Sequence, residues 1–284
     1  MAKVYVFYNP ISGEKIDQEK LDDCLDFGED TPVFVDVRER NGYAEVVKTL
    51  SKDDKILICG GDGTLNRFAE ETENLELENE VYYYATGSGN DFWTDVGRKK
   101  GDDPVRVNEY LVDLPHAIVN GEKRLVVNGV GYGIDGYCCE EGERQREQGK
   151  EKINYTSIAI KGLLFKYRPK NAIVTVDGKE YSFKKVWLAA TMNGRYYGGG
   201  MMPAPNQDRL SKDKKVSLVV FHGSGPLKTL MIFPSIFSGE HVKKEKNVAV
   251  LTGKNITVKY DKPAPLQIDG EVYSNISEYT VVCD

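Results

Sequence analysis

Carboxylates set beside glycines recur along this chain. Asp62 lies within GGDGT, Asp91 within TGSGNDF, Asp135 within GVGYGID, and Asp269 with Glu271 within QIDGE. Glycine lets the backbone take φ > 0 or approach another group closely. A helix N-terminus just beyond such a turn offers unpaired N–H groups and the positive end of its dipole. That combination suits a phosphate. Phosphoryl transfer from ATP needs a backbone cradle, a divalent ion on the phosphate oxygens, and an acid or base for the attacking hydroxyl. Mg²⁺ sheds its water reluctantly, so carboxylates often hold it through that water. The chain has neither a GxxxxGK[ST] loop nor an HRD triplet, which sets aside two common kinase plans. By themselves, GGDGT also reads as a tight turn without a ligand and Asp269-Gly270 as a hairpin turn. His116, His222 and His241 are scattered without the spacing of metal ligands.

The elements that must position these acids follow from periodicity. The first third alternates strand and helix patterns: KVYVFYN, then EKIDQEKLDDCLDFG, TPVFVDV, NGYAEVVKTLSKD, KILICGG, TLNRFAEETEN and VYYYAT. Alternating strands and helices predict a parallel α/β sheet, whose ligands sit at the carboxyl ends of the strands. NPISG, GGDGT and TGSGND all leave such ends. Beyond about residue 113 the pattern becomes short and β-rich, with Asp177-Gly178 as a hairpin signal. One helical stretch, NYTSIAIKGLLFKY, interrupts it, and EEGERQREQGKEK reads as a solvated helix or loop. Two domains are therefore expected: residues 1–115, an α/β domain, and residues 116–284, a β-sandwich or barrel-like domain.

A net charge of −6 argues against a dedicated nucleic-acid binder. Five cysteines without a CxxC pair point to a reducing compartment, and the N-terminus reads as a first strand rather than a signal peptide. The expectation is a soluble, cytoplasmic protein.

Taken in order, NPISG, GGDGTLN, TGSGNDF, VVNGVGYGID, NGRYYGGGMMPAP and LQIDGE resemble the bacterial diacylglycerol kinase and sphingosine kinase superfamily of lipid kinases, across nearly the whole chain. GGDGT alone is shared with NAD kinases. The resemblance implies an N-terminal α/β sheet domain like that of NAD kinases for nucleotide binding, a C-terminal β-sandwich for the lipid acceptor, and ATP in the cleft between them. It implies a nucleotide site lined by Asn9, Ser12 and Gly13, phosphates cradled by Gly61, Asp62, Gly63 and Thr64, a contact from Ser88, and Asn66 tying the loop down. Mg²⁺ would be held through water by Asp62, Asp91 and Asp113. The general base would be Asp269 supported by Glu271, with Asp62 as second choice.

The implied reaction moves the γ-phosphate of ATP to a lipid hydroxyl, diacylglycerol or a relative. An NAD kinase-like activity and a non-catalytic nucleotide or lipid sensor are the rival readings. Two departures stand out. Lys214 and Ser217 replace a glycine and an acid that many bacterial members use for a structural metal, so none is expected at Asp213. Trp93 follows NDF where Ala-Arg is frequent. A lipid substrate implies peripheral contact with the inner face of a membrane. GSGPLKTLMIFPSIFSGEHVKKEK, with Lys243, Lys244 and Lys246, offers an apolar stretch with a basic end; it reads equally as an ordinary packed helix. An exposed edge in the β domain would favour a homodimer.

Overall fold

The computed structural model describes residues 2–10, 18–38, 42–87, 89–150 and 153–283. The chain divides into two compact units, Met1–Val112 and Asp113–Asp284.

In the first unit, β1 (Lys3–Tyr8), α1 (Gln18–Cys24), β2 (Thr31–Asp36), α2 (Tyr43–Val47), β3 (Lys55–Gly60), α3 (Asp62–Thr72), β4 (Val81–Ala85), α4 (Asp91–Asp95) and β5 (Val105–Arg106) follow one another. The sheet order is β2-β1-β3-β4-β5. β1, β2, β3 and β4 run parallel, and β5 lies antiparallel on the edge. From β1 the chain steps to one side, then returns to lay β3 on the other, so the strand order reverses between β1 and β3. Open α/β sheets bind ligands outside the carboxyl ends of the strands at such a reversal. Asn9 leaves one of these two strands and Gly61 the other.

Both sheet faces are covered, as a parallel sheet requires. Val4, Val6, Leu21, Leu57 and Cys59 form a core on one face. Phe7, Tyr43 and Phe68 meet edge-on or tilted at 5.2–6.4 Å. α3 buries Leu65, Phe68, Ala69 and Thr72, the i, i+3, i+4, i+7 stripe of an amphipathic helix. Burying Phe68 alone contributes about 1.5–3 kcal/mol. That stripe fixes the helix on the sheet and hence the aim of its first turn.

The second unit contains β6 (His116–Val119), β7 (Glu122–Leu125), β8 (Gly129–Gly133), α5 (Ile134–Glu147), α6 (Tyr155–Lys161), β9 (Lys170–Val176), β10 (Lys179–Val186), β11 (Leu188–Met192), β12 (Val216–Phe221), α7 (Pro226–Ile232), β13 (Val248–Gly253), β14 (Asn255–Ile268) and β15 (Glu271–Val282). The path β13-β12-β11-β8-β14-β15-β6-β7 carries β9 and β10 as a branch. β14 makes this possible by breaking its own register between Lys259 and Ala264. Pro263 lies within this break and Pro265 within a second shift between Ala264 and Leu266, and neither has an N–H to donate. Its first half pairs with β9 and its second with β8, giving a sandwich-like unit. Tyr132 and Tyr260 stack at 3.9 Å within the main core, while α5, α6 and α7 lie with Leu163, Trp187 and Phe221 in a second.

Asp177-Gly178 closes its hairpin with φ of 48° and 82°, both in the left-handed region that a type I′ turn demands. The stretch KRLVVNGVGYGI supplies two strands, β7 stopping after Leu125 and β8 starting at Gly129. The charged EEGERQRE segment, read as a solvated helix or loop, is helical and completes α5, which begins at Ile134. No helix among the described residues is long and apolar enough to cross a membrane.

Candidate active site

The GGDGT turn is built by two glycine loops pressed together. Thr86 and Gly87 donate their N–H groups to the Gly60 carbonyl at 2.9 and 3.2 Å, and Asp62 N–H reaches the Gly89 carbonyl at 3.2 Å. A Cβ on Gly87 would stand 2.3 Å from Gly61 Cα, and one on Gly60 would strike the Thr64 side chain at the same distance. Gly87 serves close approach of backbone to backbone, and Gly60 makes room for the Thr64 side chain. Gly63 differs. A Cβ there would meet nothing within 4 Å, Gly63 is exposed, and among the described residues its N–H has no acceptor. α3 begins at Asp62, two residues earlier than TLNRFAEETEN suggests, so Gly63 sits in the first turn. A bare, donor-bearing first turn is where an anion docks.

Asp62 does more than face that turn. Its Oδ2 accepts from the Asp91 N–H at 2.8 Å and its Oδ1 from the Phe92 N–H at 3.0 Å. The carboxylate thus caps α4, satisfying two donors the helix cannot satisfy itself, and brings the backbones of two sequence-predicted acids together. Asp91 is buried. Asn90 gives its Nδ2 to the Gly87 carbonyl at 2.7 Å, and its Oδ1 is buried without a donor among the described residues. Trp93, the departure after NDF, is buried against Tyr83 and Tyr84 and donates to the Lys99 carbonyl.

In the second unit the QIDGE hairpin is locked from behind. Asp269 and Gly270, at φ of 46° and 95°, form the two-residue turn between β14 and β15. The Asp269 carboxylate accepts three backbone N–H groups, from Val127 at 2.6 Å and from Asn128 and Gly129 at 2.8 Å. These donors are free because β7 and β8 are interrupted there. Burial pushes the Asp269 carboxyl up from its ordinary value, against the pull of the three donors and the Arg209 guanidinium. Arg209 donates to the Val127 carbonyl and to Asn128 Oδ1, and Asn193 Nδ2 donates to the Val127 carbonyl at 3.0 Å. Glu271, one residue past the turn, is exposed and has the Tyr273 hydroxyl at 3.4 Å.

This geometry bears on the expected base. A carboxylate engaged by three backbone donors is an anchor whose lone pairs are mostly spoken for, whereas Glu271 faces solvent on the hairpin that Asp269 holds. Sequence reading did not single out Arg209, Asn128 or Asn193. Arg209 lies in the charged run DRLSKDKK, where nothing separates it from the surrounding surface charges.

The comparisons with known proteins fit these two units. Residues 3–118 match the family described as the diacylglycerol kinase catalytic domain, and residues 128–282 match the YegS C-terminal NAD kinase beta sandwich-like domain. The chain belongs to the diacylglycerol kinase-like lipid kinases. It is 24% identical over 214 residues to the diacylglycerol kinase of Mycobacterium tuberculosis (strain CDC 1551 / Oshkosh), covering 72% of this chain and 67% of that one. A crystal structure of a diacylglycerol kinase from Bacillus anthracis str. Sterne shares the fold, with a TM-score of 0.63 at 17% identity over 99% of this chain and 93% of that one.

The remaining sequence-predicted residues of this lipid kinase family member fall as follows. Asn9 follows β1 directly, Thr64 packs beneath Gly60, and Asn66 rides on α3, half-buried. Ser12, Gly13 and Ser88 lie outside the described residues. Asp113 opens the second unit at φ 52° with Lys214 Nζ at 3.8 Å, so it belongs to a different unit from Asp62 and Asp91. Asp213 pairs with Lys215 at 2.8 Å, and the hydrogen bond from that ammonium lowers its carboxyl below the usual range. A triplet Asp26-Phe27-Gly28 is a plain turn, Gly28 donating to Asp26 Oδ1 at φ 58°.

Among the described residues no three His, Cys, Asp or Glu side chains converge as a metal cage. The donor set therefore does not suit a cation held wholly by protein. Asp62, at the first turn of α3, is an acid of the kind that holds Mg²⁺ through water.

Proposed function

We propose that this chain transfers the γ-phosphate of ATP to the hydroxyl of a lipid, diacylglycerol or a close relative. Membership of the lipid kinase family supports the reaction class, and the M. tuberculosis relative named diacylglycerol kinase supports the acceptor. One observation carries the reading: the first turn of α3 leaves the Gly63 N–H without an acceptor among the described residues and open space where its side chain would be. Gly61, Gly63 and Thr64 hold the phosphates in this reading, with Asn9 and Asn66 beside them. Mg²⁺, held through water by Asp62 and Asp91, supplies charge neutralisation on the phosphate oxygens.

In the transfer the acceptor oxygen forms a bond to the γ-phosphorus, the bond from that phosphorus to the β,γ-bridging oxygen breaks, and ADP leaves. The hydroxyl proton passes to a carboxylate. Glu271 is the group with oxygens open to receive it, and Asp62 is the alternative. Such a proton departs late, so orientation counts for more than basicity. Asp269 acts behind Glu271 as a positioning residue.

The test is transfer of labelled γ-phosphate from ATP, with Mg²⁺, to a whole-membrane lipid extract in mixed micelles, with NAD present as competitor. Label in a lipid band, identified by mass spectrometry, supports the reading. Label on NAD, or on no acceptor despite ATP binding, overturns it.

A further inference from the structure

Segments 153–170 and 222–239 contain no Asp or Glu, in a chain that has 44 acids and a net charge of −6. The same segments carry Lys161, Lys166, Arg168, Lys170 and Lys228. The structure packs them side by side, α7 lying against the turn at Gly162–Lys166 that follows α6. α7 turns Thr229 and Ile232 inward and presents Leu227 and Met231, one helical turn apart, to solvent at 70% and 82% exposure. A surface helix ordinarily shows polar residues on that face. Beside it the backbone widens into a π-turn, Tyr167 N–H closing on the Gly162 carbonyl at 2.8 Å. Leu163 is buried there while Phe165 stands out at 69% exposure. Ile160 and Phe237 extend the apolar area.

Lys170 lies over the Tyr167 ring at 4.5 Å, but the other cations of this surface are uncommitted. Lys161, Lys166, Arg168 and Lys228 are exposed and make no ion pair with a described residue. By contrast Lys243, at the basic end read from sequence, is paired with Glu240 at 2.6 Å. Apolar side chains at the tip with unpaired cations at the flanks match an anionic bilayer, whose acyl boundary takes the former and whose headgroups take the latter.

We infer that this chain docks on anionic lipid bilayers through Phe165, Leu227 and Met231, with Lys161, Lys166, Arg168 and Lys228 on the headgroups. This deepens the lipid-kinase reading by naming the face that meets the substrate's membrane. It can fail separately, because docking is read without ATP.

The full chain is sedimented with vesicles of phosphatidylcholine alone, and of phosphatidylcholine mixed with phosphatidylglycerol. Binding to the mixed vesicles only, weakened by salt, is expected. Leu227→Asp with Met231→Asp should lower the partition coefficient on the order of tenfold or more, and each Lys→Gln change about fivefold at low salt. Circular dichroism checks that the variants stay folded. Phe165→Trp gives a second readout that keeps the surface intact: the emission of the introduced indole should shift blue on mixed vesicles and be quenched by brominated acyl chains. Binding that ignores headgroup charge, binding unchanged by the Asp variants, or indole emission that brominated chains leave unquenched overturns the inference. So does patch-dependent dimerisation in sedimentation velocity with no vesicle binding, which would assign the face to a second copy.

Discussion

Replacing Asp269 with Asn separates anchoring from chemistry. Asn tolerates the left-handed φ of 46° nearly as well as Asp, so the change isolates the carboxylate. The amide oxygen can keep the Asn128 and Gly129 N–H groups, but the NH₂ then faces the Val127 N–H that Oδ2 now accepts at 2.6 Å. One stranded donor costs about 1–3 kcal/mol, and loss of charge assistance on two bonds costs about 0.5–1 kcal/mol each. Removing the charge relieves the burial that raises the carboxyl's pKa, which offsets part of this. The net expectation is about 1–3 kcal/mol of destabilisation, or roughly 3–10 °C in the melting of a unit this size. Trp187, buried in the second unit, reports that unit alone once Trp93 is replaced by Phe. Glu271→Gln, at an exposed site, should melt with the parent and lose about 10²–10⁴-fold in kcat, the usual range for a general base. An Asp269→Asn protein that melts with its parent yet fails to transfer phosphate would refute the anchoring argument. Full turnover by Glu271→Gln would remove Glu271 from the proton's path.

Two further expectations rest on close backbone approach and on histidine burial. Gly87→Ala should cost about 1–3 kcal/mol, because its Cβ would lie 2.3 Å from Gly61 Cα and neither backbone can yield; urea denaturation checks it, and an unchanged midpoint would sink the close-approach explanation. Burial lowers the pKa of His241 and of His222 below the ordinary 6.5. The unfolded chain then binds more protons than the folded one as pH drops, so stability is lost as pH falls through about 6.5. Urea midpoints between neutral pH and about pH 5 should fall, and fall less steeply in His241→Gln.

Much of the fold was legible because its signals are local. The continuous apolar runs of β1 and β3, the helix stripe of α3, and Asp-Gly at the 177 and 269 turns each act within a few residues. What escaped depends on partners distant in sequence. Asn128-Gly129 marks a break after Leu125–Val127, but the N–H groups of Val127, Asn128 and Gly129 matter only because Asp269, some 140 positions on, accepts them. Asp62 reads as a ligand-facing acid, yet its bonds to α4 exist only once two loops meet. Leu227 and Met231 lie in a stretch that reads equally as membrane-facing or packed, since an apolar residue in sequence does not say which side of its helix is covered.

The central claim is that the first turn of α3 receives phosphate, and Gly63→Ala tests it most directly. Nothing lies within 4 Å of the added methyl group, and alanine improves a helix by about 0.5–1 kcal/mol over glycine. Calorimetric titration with ATP and Mg²⁺, beside a thermal melt, separates the two effects. The account predicts a melting point equal to or above that of the parent, with ATP affinity reduced on the order of tenfold by the methyl group in the anion's path. Unchanged affinity in an equally stable protein would contradict it and return GGDGT to an ordinary turn.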